Sequence, residues 1–315
     1  MSSRTMRAIT QQTLGGPEVL RPAELARPGP GVGEILVRTR AAGVNPIDWK
    51  TREHGAFLGE PPFVLGWDVS GVVEAVGLGV RLFAPGDEVF GMPLFPAPAG
   101  AYAEYVAAPA RHFAHRPAGL GHAEAAALPL AGLTARQALV DVGGVRPGQR
   151  VLIHAAAGGV GHLAVQIAKS LGAHVIGTAR AANHAALHAL GADELFDHTT
   201  GDVNAVVRDV DLVLDTLGGA NTAATLATLK DGGTLVSLPS PEEDAVIPLA
   251  AERGIRAGFM LVEPDRTGLL ELARLVEAGQ LRPLMGPTFP LEQAAEAHRV
   301  GEKGGTPGKL VLTVD

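Results

Sequence analysis

The sequence predicts an α/β fold of two domains, a small irregular β domain and a parallel-sheet domain inserted into it. The chain has 315 residues, too many for one ordinary core if a domain takes ~100–200 residues. Short apolar runs separated by Gly and Pro clusters occupy both ends, and apolar strands alternate with alanine-rich helical patterns between them. We therefore expect the β domain over residues 1–128 and 258–315, and the parallel-sheet domain over 129–257.

The first domain is indicated by runs rich in apolar and β-branched residues. Turn-forming clusters such as GGPE and RPGPGVGE separate these runs, as is typical of short strands in a β domain. The runs are EILVRTRAAGV (34–44), VSGVVEAVG (69–77), DEVFGM (87–92) and AEYVAA (103–108). Near the other end, an amphipathic helix over 265–278 precedes the alternating strand GKLVLTVD (308–315), which we expect to return to this domain.

The middle of the chain has the pattern of a βαβ series, which predicts a parallel sheet. Helical patterns run through Lys169 and Leu190 between the first strands, and another follows the fourth strand. The strands are RVLIHAAA (150–157), AHVIGTA (173–179), ELFDH (194–198), VDLVLDT (210–216) and GTLVSLP (233–239).

Composition and charge exclude several classes of function. The 26 basic and 33 acidic residues give a net charge of -7, and no basic run could follow a nucleic-acid backbone. The N-terminal MSSRTMRAIT lacks an apolar signal core, and no stretch reaches the ~20 apolar residues of a membrane helix. With no cysteine, disulfides and thiolate zinc sites are excluded. We expect a cytoplasmic protein that binds neither nucleic acid nor membrane.

A dinucleotide fingerprint connects the first strand of the middle domain to its helix. Small residues at Ala156, Gly158 and Gly161 have the G-x-G-x-x-G spacing, with alanine in place of the first glycine. Such residues make the tight turn and let the main chain approach a pyrophosphate at the helix N-terminus. The sequence thus predicts a Rossmann doubly wound domain, with Gly159 and Val160 also in the cofactor loop. The alternative is a glycine-rich helix start that serves packing alone.

The end of the second strand indicates which dinucleotide is bound. An Asp or Glu there would hold the ribose 2′-hydroxyl of NAD, but the sequence continues through Thr178 and Arg180 to His184 without an acidic residue. Because an arginine can pair with a 2′-phosphate, we predict that NADP(H) is preferred. Arg180 could also be an ordinary solvated loop residue. At other strand ends we expect Thr216, Leu217 and Ser237 to border the nicotinamide half.

Five segments together carry a resemblance that spans nearly the whole chain. They are AAGVNPIDWKTREHG, PFVLGWDVSGVVEAVG, PGDEVFGM, LPLAGLTARQAL and HAAAGGVGHLAVQIAK. The chain resembles the medium-chain dehydrogenase/reductases, specifically the zinc-free, zeta-crystallin-like quinone oxidoreductase branch. The resemblance implies a GroES-like β-barrel domain built from both termini, a Rossmann domain between them, and a homodimer. It also implies hydride transfer from NADPH to a small quinone or other α,β-unsaturated carbonyl.

Zinc-dependent members of the resembled superfamily bind catalytic zinc through cysteine, histidine and a further ligand. At the corresponding positions this sequence has Asn45 and the pair Trp67-Asp68, so the resemblance implies no metal site. Without a Lewis acid, alcohol oxidation at neutral pH lacks its main support, whereas an activated acceptor needs far less. A metal-dependent alcohol dehydrogenase is accordingly the last alternative.

The resemblance also indicates the catalytic residues. It implies that Asn45 and Asp48 lie beside the nicotinamide, that Thr134 contacts the cofactor and that Lys309 reaches the same place; Asn45 and Lys50 are candidate donors to a developing oxyanion. Each residue has a structural alternative, as a turn opener, a helix cap, a helix start or a solvated charge.

The proton donor is left open, because Trp49-Lys50 stands where related reductases have a tyrosine. Two other functions remain open. One is a biosynthetic enone or enoyl reductase, and the other is a non-catalytic NADPH-binding protein.

Overall fold

The computed structural model describes residues 5–239 and 246–314. The chain divides into two compact units. Unit 1 comprises Met1–Leu133, Glu263–Gly279 and Pro283–Asp315, and unit 2 comprises Thr134–Val262 and Gln280–Arg282.

Unit 1 is built on two sheets, of three and seven strands. The small sheet has the order β2, β1, β4, and the large one the order β15, β16, β3, β5, β6, β8, with β7 also paired to β3. Among the described residues of this unit, β15 and β16 pair in parallel and the other strand pairs are antiparallel. The strands are β1 (Thr5–Gln11), β2 (Arg21–Ala26), β3 (Glu34–Val44), β4 (Phe63–Val64), β5 (Val69–Val76), β6 (Glu88–Gly91), β7 (Tyr105–Pro109), β8 (Phe113–His115), β15 (Met285–Pro290) and β16 (Lys309–Thr313).

The helices of unit 1 lie between these strands along the chain. They are α1 (Pro46–His54), α2 (His122–Ala126), α9 (Arg266–Glu277) and α10 (Ala294–Lys303), and α3 (Pro129–Arg136) passes from unit 1 into unit 2. Strand β3 organises the unit, because β5 pairs along one edge while β7 and β16 divide the other. Its apolar residues, including Ile35 and Val37, enter the main core with Val69, Val89 and Phe113. Burial of such side chains is the principal stabilising contribution to a fold.

Unit 2 contains a six-stranded parallel sheet with the order β11, β10, β9, β12, β13, β14. Numbered within the sheet, this is the 3-2-1-4-5-6 order of a dinucleotide-binding fold, whose strand order reverses next to the first strand. The strands are β9 (Arg150–Ile153), β10 (His174–Thr178), β11 (Glu194–Phe196), β12 (Val210–Asp215), β13 (Leu229–Ser237) and β14 (Arg256–Phe259). The helices are α4 (Gly161–Ser170), α5 (His184–Ala189), α6 (Val203–Val206), α7 (Ala220–Thr225) and α8 (Ile247–Ala251), and Gln137–Val142 form a π-helical turn.

The predicted α/β class, with a β domain and a doubly wound parallel sheet, is confirmed. The continuous apolar runs of the middle strands fit burial on both faces, as in β9, where Val151, Leu152 and Ile153 are all buried. The expected amphipathic helix over 265–278 is α9, capped by Asp265, whose carboxylate accepts from two main-chain N–H groups. Asp315, the end of the last predicted strand, lies outside the described residues.

Across residues 5–239 and 246–314 no helix combines the length and the apolar character needed to span a bilayer.

Candidate functional site

The predicted cofactor loop lies between β9 and α4 in unit 2. Its first residues are held by the neighbouring strand, since Ala156 N donates to Thr178 O at 2.8 Å and Ala155 N donates to Thr178 Oγ1 at 3.1 Å. Thr178 is itself buried. One residue at the end of β10 therefore fixes the main-chain turn from which the helix begins.

Gly161 shows why the loop needs a small residue at the third fingerprint position. A Cβ there would stand 2.3 Å from Ala155 O and 2.8 Å from Ala156 Cα, distances that no side chain tolerates. At Gly158 a Cβ would lie 3.1 Å from the same oxygen. The close approach allows the ten-residue helix α4 to point its free N–H groups along the loop, which suits an anionic pyrophosphate. The residues present thus fit a dinucleotide.

Arg180 lies two residues after β10 and is exposed. Its main-chain oxygen accepts from Asn183 N at 2.9 Å, but its side chain has no ion-pair or hydrogen-bond partner within the described part of the chain, so the guanidinium is available to an external anion. Asp197 is the nearby acidic residue that the sequence did not reveal, because it comes from the next strand of the sheet. Its oxygens accept from Ala181 N at 3.0 Å, from Thr199 N at 2.9 Å and from Thr199 Oγ1 at 2.7 Å, which commits it to a local turn.

The other strand ends of unit 2 are ordered by a buried carboxylate. Asp215 accepts from Leu217 N at 3.0 Å, from Asn221 Nδ2 at 3.1 Å and from Thr222 Oγ1 at 2.6 Å. Leu217 is thereby held with 53% of its surface exposed. Of the remaining candidates, Thr216 donates to His154 O at 2.8 Å, and Ser237 is buried at the end of β13 opposite Asp215.

In unit 1, four polar residues meet in the interior at the ends of β3 and β16, a set we call the Asn45 cluster (Asn45, Asp48, Asp68 and Lys309). Asn45 Nδ2 donates to Asp68 Oδ2 at 2.8 Å, and Asn45 N donates to Asp48 Oδ2 at 2.7 Å. Lys309 Nζ donates to Asp68 Oδ2 and Val44 O at 3.3 and 3.2 Å and, at short range, to Asn45 Oδ1. The structure therefore brings together three of the predicted residues and adds Asp68.

The chemistry of these partners fixes the orientation of the Asn45 amide. An ammonium only donates and a carboxylate only accepts, so the oxygen must face Lys309 and the nitrogen must face Asp68. The amide nitrogen carries two hydrogens, and only one has an acceptor among the described residues. Asn45 therefore keeps one N–H for a ligand. Lys309, in contrast, has a partner for each of its three hydrogens.

Asp48 is completely buried at the first turn of α1. Burial and the nearby charge of Asp68 raise its pKa to about 7, against the opposing effects of Asn45 N–H, Lys309 and Tyr102. The Tyr102 hydroxyl lies near this carboxyl group and lowers its pKa. Even so, Asp48 Oδ1 has no partner with hydrogen-bond geometry in the described chain. A carboxyl group with a free oxygen and this pKa can hold or release a proton near neutral pH.

A directed chain of hydrogen bonds leads from the surface to Tyr102, whose hydroxyl influences Asp48. Arg52 Nη2 donates to Glu302 at 2.6 Å, and Nη1 donates to His298 Nδ1 at 3.2 Å. Burial, with a contribution from Arg52, lowers the pKa of His298 to about 3, so the ring is neutral and its hydrogen must lie on Nε2. That hydrogen points to the Tyr102 oxygen at 3.1 Å, which leaves the Tyr102 O–H free to turn toward Asp48.

A zinc ion does not fit the Asn45 cluster. The sequence has no cysteine, and no group of three or more potential His, Cys, Asp or Glu ligands occurs within the described ranges. The Lys309 ammonium already lies between Asn45 Oδ1 and Asp68 Oδ2, where it satisfies the oxygens that a cation would use.

The two other predicted catalytic residues are not members of the Asn45 cluster. Lys50 is exposed on α1, and Thr134 is buried in α3 within unit 2. Sequence reasoning missed Asp68, Tyr102 and His298 as site residues. Asp68 had been noted only as a departure from a zinc ligand pair, and nothing local marks the other two, which approach Asp48 from distant parts of the chain.

Two family descriptions match the chain. "Alcohol dehydrogenase GroES-like domain" matches residues 31–118, and "Zinc-binding dehydrogenase" matches residues 190–312. The first lies in unit 1 and supports the GroES-like assignment.

Curated relatives cover most of the chain. "NAD(P)H oxidoreductase RTN4IP1, mitochondrial" of Mus musculus is 34% identical over 89% of this chain and 82% of that protein. "Quinone oxidoreductase" of Homo sapiens is 33% identical over 98% of both. "Spectinabilin polyketide synthase system protein NorB" of Streptomyces orinoci is 38% identical over 94% of this chain but only 14% of that protein.

Several solved structures are also similar to this chain over nearly its whole length. The quinone oxidoreductase from Coxiella burnetii has a TM-score of 0.93 and 38% identity, covering 99% of this chain and all of that one. An NAD-dependent alcohol dehydrogenase has a TM-score of 0.89 and 39% identity, with 98% and 100% covered. The Escherichia coli quinone oxidoreductase complexed with NADPH has a TM-score of 0.88 and 29% identity, with 98% and 99% covered. The chain therefore belongs to the medium-chain dehydrogenase/reductases, in their quinone oxidoreductase branch, and is an oxidoreductase that uses a nicotinamide cofactor.

Proposed function

We propose that the chain is a metal-independent, NADPH-dependent reductase of a quinone or another α,β-unsaturated carbonyl compound. The main support for this proposal is the Asn45 cluster, in which a lysine ammonium and a carboxylate orient the amide of Asn45, a residue that the resemblance aligns with a zinc ligand of metal-dependent members. A preorganised N–H donor suffices for an acceptor that is already activated.

We assign the following roles. The bound nicotinamide supplies the hydride. Asn45 donates its spare N–H to the oxygen on which negative charge develops, and Lys309 and Asp68 keep the amide in that orientation. Asp48 is a positioning residue, since it anchors the Asn45 main chain and stores a proton at neutral pH.

The preference for NADPH rests on Arg180. Its unpaired guanidinium follows β10, where an NAD-specific domain would carry a carboxylate. Asp197 is engaged in its own turn and does not replace that carboxylate. Arg180→Gln is expected to raise the Kd for NADPH about 10- to 100-fold through loss of a charge-assisted contact. The Kd for NADH is the control, and it should not change.

A second candidate function is an enone or enoyl reductase of a biosynthetic pathway. The observation that favours it is the 38% identity with a segment of a polyketide synthase system protein, over 94% of this chain. Both candidates use the same hydride chemistry, and they differ in the acceptor that Asn45 would face.

We also propose that the enzyme is a cytoplasmic homodimer.

The test is anaerobic oxidation of NADPH, with NADH for comparison, in the presence of para-quinones, ortho-quinones, alkyl enones and enoyl thioesters. Turnover with quinones, faster with NADPH, would support the proposal. Turnover with enones or thioesters alone would favour the biosynthetic reductase. NADPH binding without any turnover would assign the chain to non-catalytic NADPH binding.

A matched variant makes this assay specific to the site. Asn45→Ala should lower kcat with the best acceptor on the order of 100-fold, as expected when one oxyanion donor is removed. The Kd for NADPH serves as the control, because the cofactor loop lies in unit 2 and should bind as before. An unchanged kcat would exclude Asn45 as the donor.

A further inference from the structure

Unit 1 contains a cavity of about 410 Å³ that is separate from the Asn45 cluster. Three arginines reach it, two of them from β3, and one aromatic ring lies beside them. The lining residues are Thr5, Arg27, Arg38, Thr39, Arg40, Glu104, Tyr105 and Val314. Along β3 the arginines precede Asn45 by five and seven residues, which corresponds to roughly 16–23 Å at ~3.3 Å per residue.

The charges around this cavity do not balance. Arg27 is paired with Glu74 at 2.9 Å, and Glu104 is held by Arg7, whose Nε lies 2.7 Å from Oε1. Within each of these two ion pairs, the positive and the negative charge compensate each other. Neither Arg38 nor Arg40 has an acidic partner within 4.0 Å in residues 5–239 and 246–314. The cavity therefore keeps two positive charges for which the described chain supplies no counter-charge.

Strand β3 brings both arginines to the cavity. Arg38 and Arg40 are among its lining residues, and the pairing of β3 with β5 shifts register between Thr39 and Ala41, at Arg40. The strand is fixed at this point, because Thr39 N donates to Glu104 O at 2.9 Å and Val314 N donates to Arg40 O at 2.9 Å. Arg38 Nε is also buried, with no hydrogen-bond partner among the described residues.

We propose that this cavity is a second anion site, which binds a small phosphorylated ligand. A guanidinium presents parallel N–H groups that match phosphate oxygens. The charge of a phosphate monoester, about -1.5 to -2 at neutral pH, matches the two arginines that have no acidic partner among the described residues. The volume lies within the ~300–1,000 Å³ of small-molecule sites. The Tyr105 ring, already covered by Arg27 at 3.9 Å, forms a firm wall.

The test is titration calorimetry of the full chain with inorganic pyrophosphate, with citrate as the carboxylate arm. The double variant R38Q/R40Q should weaken pyrophosphate binding at this site at least tenfold. A charge-matched control, R21Q/R81Q, removes two exposed arginines of unit 1 that do not line the cavity and should bind as the parent does. Arg180→Gln reports any pyrophosphate held by the cofactor loop of unit 2, which is a separate event.

A charge-preserving variant distinguishes a loss of binding from misfolding. R38K/R40K keeps both charges but loses the planar fork, so its binding should lie between that of the parent and that of R38Q/R40Q. Equal pyrophosphate binding by the parent and R38Q/R40Q would overturn the proposal, as would equal losses in R38Q/R40Q and R21Q/R81Q. Citrate binding without pyrophosphate binding would overturn the assignment to a phosphorylated ligand.

Discussion

Lys309 places a positive charge in the interior of unit 1 with only 3% of its side chain exposed. A buried charge is costly to remove from water, and it is tolerated only when its hydrogen bonds are complete. Lys309 meets that condition through Val44, Asn45 and Asp68. The consequence is a strong dependence of Asp68 on Lys309, because either charge alone would be left uncompensated.

This dependence gives the first prediction. Lys309→Met should lower the free energy of unfolding by about 3 kcal/mol, as expected when one partner of a buried pair is removed. The double variant K309M/D68N should be less destabilised than the sum of the two single variants, because it removes both charges. The measurement is urea unfolding at constant pH.

The matched control is Lys169→Met, which breaks an exposed pair between Lys169 Nζ and Asp193 at 2.6 Å. Its cost should stay below about 1 kcal/mol, since exposed ion pairs contribute little. Equal losses for the two lysines would show that the Asn45 cluster is not a closed, buried network.

The second prediction concerns Asp48 and pH. Its pKa is about 7 in the folded chain and 3.8 in the ordinary exposed state, so the folded protein binds this proton more tightly than the unfolded one. The resulting stabilisation is complete below about pH 4 and is lost as the pH rises through 7, with a full size on the order of 4 kcal/mol.

The test is the free energy of unfolding of the parent minus that of Asp48→Asn, measured from pH 4 to pH 8.5. The difference should fall from pH 4 to about pH 7 and then level off, because Asp48 is ionised in both states above its folded pKa. Other titrating groups cancel because both proteins contain them. A difference that does not vary with pH would show that Asp48 is already ionised across this range.

The separation of these residues along the sequence decided which of them could be predicted. Asn45 and Asp48 share one short motif, and family resemblance was enough to select them. Tyr102 and His298 come within hydrogen-bond distance of each other although 196 residues separate them. Only the three-dimensional pairing of their elements creates the chain of donors, so no spacing rule could have indicated it.

The loop between β9 and α4 is the element on which cofactor binding depends. Gly161 lies where a Cβ would overlap the main chain of residues 155 and 156. A larger residue must push the helix start away from the loop, and the free N–H groups of α4 would then lose their alignment.

Gly161→Ala is therefore expected to raise the Kd for NADPH at least tenfold, by fluorescence titration, because the backbone contact cannot relax without moving the turn. Gly258→Ala is the control within unit 2, since a Cβ at Gly258 would meet nothing within 4 Å. Unimpaired NADPH binding by Gly161→Ala would contradict a role for this loop.

The sequence predicted individual strands and helices for a physical reason. Strand and helix periodicity and the fingerprint spacing are local properties, and β9, β10, β12 and α4 lie where the sequence patterns indicated. The six-strand order and the division of β3 between β7 and β16 depend on distant segments meeting, which periodicity does not encode.

For the molecule as a whole, the family fixes the class of chemistry and leaves its specificity to the residues of this chain. The relatives include quinone oxidoreductases, a solved alcohol dehydrogenase and a polyketide synthase protein, so one fold supports several acceptors. In this chain a buried lysine, amide and carboxylate meet in unit 1, and an arginine whose side chain has no partner among the described residues follows β10.

The most direct test of this account is quinone-dependent oxidation of NADPH after exhaustive dialysis against a chelator, with zinc measured in the same sample. We predict that the dialysed protein keeps its full rate at a metal content far below one ion per chain, and that added zinc does not increase the rate. Loss of the rate on dialysis, with recovery on addition of zinc, would contradict the assignment of the Asn45 cluster as a metal-independent site.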